Sequence, residues 1–97
     1  MIKTLRIKRV FFNEIKSGIK KIEYRDFKPF YKRLFKEKIT WLKIHYQGKE
    51  KLLVEVLKIR IIKPNKSLKE QALKHGIKLG PKIFKIYLGK TKELKNV

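Results

Sequence analysis

Apolar and polar positions in this chain alternate in some stretches and recur every three to four residues in others. From Ile2 to Lys8, Leu5 and Ile7 share one face, which predicts a short strand. Phe11, Phe12 and Ile15 then have helical spacing, and Gly18 suits the position just past a helix end, so a helix of about two turns is expected. Lys20 to Arg25 alternates again, with Ile22 and Tyr24 on one face and Lys21, Glu23 and Arg25 on the other. That pattern predicts a half-buried strand with a charged face. Asp26 is placed to cap a following helix with Pro29 in its first turn. Phe30, Leu34 and Phe35 would face the core there, and Lys28, Lys32, Arg33 and Lys36 the solvent.

Trp41 to Tyr46 and Lys51 to Ile62 read as strands joined by a turn at Gln47, Gly48 and Lys49. The second carries Leu53, Val54, Val56, Leu57 and Ile59 on both faces, which suggests a bulge and leaves the face of Glu55 open. Ser67 and Glu70 form a capping-box pattern ahead of Leu68, Ala72, Leu73 and Gly76, the signature of another short helix. Beyond Gly80 and Pro81, Ile83 to Leu88 is expected to be a closing strand and Lys90 to Val97 a charged tail. About five strands with two or three short helices predict a mostly β fold with short α-helices, a small β-barrel rather than a bundle or a parallel-sheet enzyme. With no repeat or linker in 97 residues, residues 1–97 are expected to form a single domain.

Charge changes this picture. Twenty-eight Lys and Arg against eight Asp and Glu leave a formal net charge of +20, and such a field attracts polyanions with salt-dependent affinity. A joint excess of Lys and Ile also arises from nucleotide composition, so a basic surface of another purpose stays open. Hydrophobic residues make up 42% of the chain, too many for a disordered segment. Without cysteine, disulfides, thiolate catalysis and cysteine zinc sites are excluded, and His45 and His75 are too few for a histidine-rich metal centre. No cofactor is expected. MIKTLRIKRV has no uninterrupted apolar segment and no stretch approaches 18 apolar residues, so a cytoplasmic, membrane-free monomer is the expectation.

The densest chemistry lies in Gly18 to Asp26, GIKKIEYRD, where Glu23, one of eight acidic residues, has Lys20, Lys21 and Arg25 close in sequence. Three kinds of work are open to such a set. The cations can hold phosphate while Glu23 accepts a hydrogen bond from a base edge. A desolvated lysine beside a carboxylate can serve as base or nucleophile in amide hydrolysis. The charges can also simply pair on a solvated strand face, worth only about 0 to 1 kcal/mol.

Ile15 to Asp26, IKSGIKKIEYRD, resembles the signature of the ASCH family, small domains related to PUA-like RNA-binding barrels. The pattern G-x-K-x-x-E-x-R falls on Gly18, Lys20, Glu23 and Arg25, with Lys21 where the family commonly has Thr. The resemblance implies a small PUA-like barrel with these residues beside a cleft for RNA or a modified nucleoside. Some members are amidohydrolases of N4-acetylcytidine that use a Lys, a Thr and a Glu. Their Lys matches Lys20, their Thr falls at Glu23, and their Glu matches Glu55 by strand position, so the threonine is missing here. The expectation is therefore an RNA- or nucleotide-binding module, with an amidohydrolase on N4-acylated cytidine-type nucleosides as the alternative. In the alternative Lys20, Glu23 and Glu55 would be catalytic.

For binding, Lys20, Lys21, Glu23 and Arg25 are joined as candidates by Lys28, Lys32 and Arg33 for phosphate and by Tyr31 and Trp41 as stacking platforms. The other aromatic residues default to the core. RNA or a modified nucleoside is the expected partner, and an acidic protein the competing one.

Overall fold

The computed structural model describes residues 2–47 and 50–94. Five strands run as β1 (Ile2–Arg6), β2 (Ile22–Asp26), β3 (Trp41–Tyr46), β4 (Glu50–Ile62) and β5 (Ile83–Leu94). Three short helices intervene: α1 (Arg9–Lys16), α2 (Pro29–Leu34) and α3 (Lys66–Lys74). The strands form one mixed sheet in the order β1-β3-β4-β5-β2, rolled into a half-barrel. β1 lies parallel to β3, and the other pairs are antiparallel. The expected mostly β architecture is thus present, with β1 and β2 as the sheet's two edges.

Alternation accounts for the core. Leu5, Leu42, Ile44, Leu52, Val54, Ile86 and Leu88 point inward from four strands, and α1 lays the fully buried Phe12 and Ile15 across them. Gly18 adopts φ +84° just beyond α1, a conformation that side chains with a Cβ disfavour, and the Lys20 amide turns back to the Glu14 carbonyl at 3.0 Å. The bulge expected in β4 is present, as register shifts around Val56. There the Lys90 amide donates to Glu55 Oε1 at 3.2 Å. A Cβ on Gly89 would run into that same oxygen, so a residue without a side chain suits this crossing.

Several local expectations are corrected. Asp26 does not cap α2: Lys28 holds the N-cap position without a side-chain hydrogen bond, Pro29 opens the helix, and Asp26 contacts Lys28 at 3.4 Å. Phe30 faces solvent, whereas Tyr31, Leu34 and Phe35 pack against the core. Phe35 meets Phe84 edge-on at 4.9 Å, which uses the inward side of a helix only six residues long. Asn65, not Ser67, caps α3, its side chain accepting from the Leu68 amide at 2.8 Å. Leu73 is exposed. The tail expected from Lys90 onward is instead the end of β5, paired with β4 as far as Leu94. Residues 95–97 of that tail, and Gly48 and Lys49 of the expected turn, lie outside the described residues. No helix among the described residues is long and apolar enough to cross a membrane.

Burial separates the aromatic residues energetically. Phe12→Ala should cost about 3–5 kcal/mol and lower Tm by at least about 12 °C, while Phe30→Ala should cost within about 1 kcal/mol. Thermal unfolding of the two variants checks this, and equal effects would show that the inward face has been misassigned.

Candidate nucleic-acid interface at the sheet seam

The register of β2 on β5 decides where the charged motif points. Glu23 stands opposite Ile86 and Arg25 opposite Phe84, and directly opposed residues share a face of an antiparallel pair. Ile86 and Phe84 are buried, so Glu23 and Arg25 turn into the half-barrel. The solvated strand face considered for these residues is therefore not what forms. Glu23 is 6% exposed, the buried charged residue among those described.

Its carboxylate is held from three sides. Arg25 Nη2 donates to Oε2 at 2.9 Å, the Tyr24 amide donates to Oε1 at 3.2 Å, and Lys20 Nζ lies 3.5 Å from Oε1. The guanidinium also reaches beyond its own strand. Nη1 donates to the Tyr31 hydroxyl and Nη2 to the carbonyl of Arg6, each at 2.9 Å. Arg6 is the last residue of β1, so one side chain on the β2 edge closes across to the β1 edge. Burial works against the Arg25 charge, but attraction to Glu23 and the hydrogen bonds that Arg25 donates to Tyr31 and Glu23 outweigh it and lift its pKa above the ordinary arginine value. Lys20 Nζ is also seated over aromatic faces, 4.9 Å from the Phe11 centroid and 5.9 Å from that of Tyr24.

A pocket of about 460 Å³ opens at this seam, within the range of small-molecule sites. Glu23, Arg25 and Tyr31 form one wall. The segment from Arg6 to Arg9 forms the other, where the Arg6 carbonyl accepts from Arg25, Lys8 Nζ donates to the His75 carbonyl and Arg9 lies over the Tyr46 ring, and Ile77 and Leu79 add apolar surface. A smaller hollow of about 140 Å³ lies alongside, between Lys20 and α3, with Phe11, Glu23, Tyr24, Ile77 and Leu79 common to both.

Of the residues singled out in the sequence, Lys20, Glu23, Arg25 and Tyr31 are brought together here. The rest are not. Lys21 is exposed, and its carbonyl accepts from the Leu88 amide. Lys28 and Arg33 are exposed beside α2, and Lys32 covers the Phe27 ring at 4.3 Å. Trp41 alternates with the buried Leu42 and so lies on the outer sheet face, opposite Glu55 and under Lys92. Glu55 shares that outer face at the bulge, away from both hollows. Sequence reasoning missed Arg6, Lys8, Arg9 and Tyr46, and it treated Phe11 only as a core residue. The basic residues at the end of β1 and just after it were the available signal for the first three. Among the described residues, no group of three or more His, Asp or Glu side chains could hold a metal ion.

The fold and this site define a mostly β half-barrel with a basic pocket at its open seam. A solved structure with the same fold is the crystal structure of hypothetical protein PH0355, which matches at a TM-score of 0.55 and 19% identity over 97% of this chain and 100% of that one. At that identity the likeness shows the fold alone. No protein-family description and no curated protein matches the chain.

The pair should behave as a coupled unit. Arg25→Ala strands a buried carboxylate and should cost about 3–5 kcal/mol, whereas Glu23→Leu with Arg25→Met should cost less than Arg25→Ala alone. Urea unfolding of the set measures this. A cost below about 1 kcal/mol for Arg25→Ala would mean that the arginine does not hold the seam.

Proposed function

We propose that the seam pocket binds a base of single-stranded or structured RNA, or a modified nucleoside, while the cations at its rim hold phosphate. The observation that carries this reading is the position of Glu23, a buried carboxylate in a chain of net charge +20 that lines an open pocket. A carboxylate offers about four acceptor sites. The Tyr24 amide, Lys20 and Arg25 take up part of that capacity, and the remainder suits an exocyclic amine or ring N–H on a base edge. Tyr31 and Tyr46 supply ring surface in the walls, where stacking contributes about 1–3 kcal/mol per base. Arg9, over the Tyr46 ring in the pocket wall, would meet a phosphate attached to such a base.

The meeting of Lys20 and Arg25 on Glu23, after a glycine at positive φ, supports assigning the chain to the ASCH-type domains of the PUA-like superfamily. In this reading Lys28, Lys32 and Arg33 extend the basic surface from the rim, and Lys21 contributes long-range field. The 3.5 Å contact between Lys20 and Glu23 favours a second reading, hydrolysis of N4-acylated cytidine-type nucleosides. There Lys20, once its proton has been lost, would take a proton from water, the hydroxide would add to the acyl carbonyl, and Glu23 would pass the proton to the leaving amine as the C–N bond breaks and acetate is released. Glu55 takes no part, because it lies on the other sheet face.

Fluorescence anisotropy with a labelled single-stranded RNA tests the proposal. Glu23→Gln should weaken binding by about 1–3 kcal/mol. Arg9→Glu should weaken it across sequences and flatten its salt dependence. Affinity that does not change between low and near-physiological salt, or equal affinity for an acidic peptide at matched ionic strength, would overturn it. Acetate release from N4-acetylcytidine that disappears in Lys20→Ala would establish the second reading instead.

A further inference from the structure

A second pocket, of about 470 Å³, adjoins the seam pocket and shares Asp26 and Leu79 with it. Lys28, Lys63, Lys78 and Lys82 line it, four ammonium groups against the single carboxylate of Asp26. They come from three separate places in the chain: the start of α2, the segment after β4, and the connection from α3 to β5. Only Lys28 contacts a carboxylate; Lys63, Lys78 and Lys82 form no ion pair among the described residues.

In a chain with 28 basic residues a group of lysines says little by itself. Two features distinguish this one. The lysines surround a concave space with an apolar wall of Phe27 and Pro81, and Lys82 Nζ stands 5.8 Å from the Phe27 centroid. Four like charges around one hollow repel each other, and a bound anion relieves that repulsion. The second feature is Asp26 Oδ1, the buried side-chain atom that lacks a hydrogen-bond partner among the described residues. Asp26 is shared by the two pockets, and because this oxygen is screened from solvent, a ribose hydroxyl at the junction would reach it once the Asp26 side chain turns toward the ligand.

We infer that the lysine pocket is the phosphate subsite of a second nucleotide, so that the ligand spans at least two nucleotides of one strand across Asp26. This rests on the reading of the seam pocket as a base site. A free nucleoside would then occupy the seam alone, and a strand would occupy both.

The probes are cytidine, which carries no phosphate, and an oligocytidylate RNA octamer, titrated into the full chain and followed by amide NMR shifts and anisotropy. Cytidine should shift Tyr24 and Tyr31, and the octamer should in addition shift Gly80 and Lys82. Lys63→Glu with Lys82→Glu should leave cytidine binding unchanged, weaken the octamer about tenfold, and reduce the slope of log affinity against log salt by about 1.4. Retained amide dispersion and Tm in that variant separate this outcome from misfolding. Wild-type affinity for the octamer in the lysine variant overturns the subsite, as does equal weakening of cytidine and octamer. A lysine variant impaired for the octamer while Glu23→Gln changes neither probe would sustain the lysine pocket and overturn the seam reading. Failure of wild-type protein to bind either probe overturns both.

Discussion

The ion pair between Glu23 and Arg25 is the constraint on which the rest of the structure depends. An open sheet of five strands leaves two edges with unpaired backbone groups, and here those edges are β1 and β2. Arg25 bonds at once to the carboxylate on its own strand, the carbonyl that ends β1 and the hydroxyl of α2. One planar fork of donors therefore connects three elements that the sheet's own ladder does not join. Buried pairs of this kind add little net stability compared with apolar replacements, yet they are costly to break singly. What the pair secures is a definite geometry at the seam.

From that geometry the pocket follows. Because arginine rather than a further strand closes the gap, the seam keeps room for a ligand of about nucleoside size. Because Glu23 is needed to hold Arg25, an acceptor is fixed in the wall of that space. Lys20 is brought to the same carboxylate by the left-handed glycine after α1 and held by the rings of Phe11 and Tyr24. The net charge of +20 supplies attraction for a polyanion, and the pocket supplies a place where a base can be read.

Much of the fold was legible in the sequence because alternation and helical spacing are local signals. Leu5 and Ile7, Phe12 and Ile15, and the bulge in β4 all stand where their spacing puts them. Caps were less legible, since Asp26, Ser67 and Asn65 are all competent N-caps and only chain direction selects among them. Phe30 was misplaced because a helix of six residues has room for one inward face, and Tyr31 and Phe35 occupy it. The motif's residues were found, but not that their face is the inner one. Period-two patterning identifies two faces of a strand without saying which is buried, and a run of charges suggests the wrong choice. Trp41 was chosen for its chemistry and Glu55 by its strand position, and the register places both on the outer sheet face. Arg6 and Arg9 could not be found by motif, because they join the site only when β1 folds alongside β2.

The central claim is that Glu23 reads a base edge inside the seam. The most direct measurement is a crystal structure of the chain with a short single-stranded RNA. The account predicts a base in the seam pocket with a donor group within about 3 Å of Glu23 and its phosphate near Arg9. RNA bound on the outer sheet face around Trp41, with no base near Glu23, would contradict it.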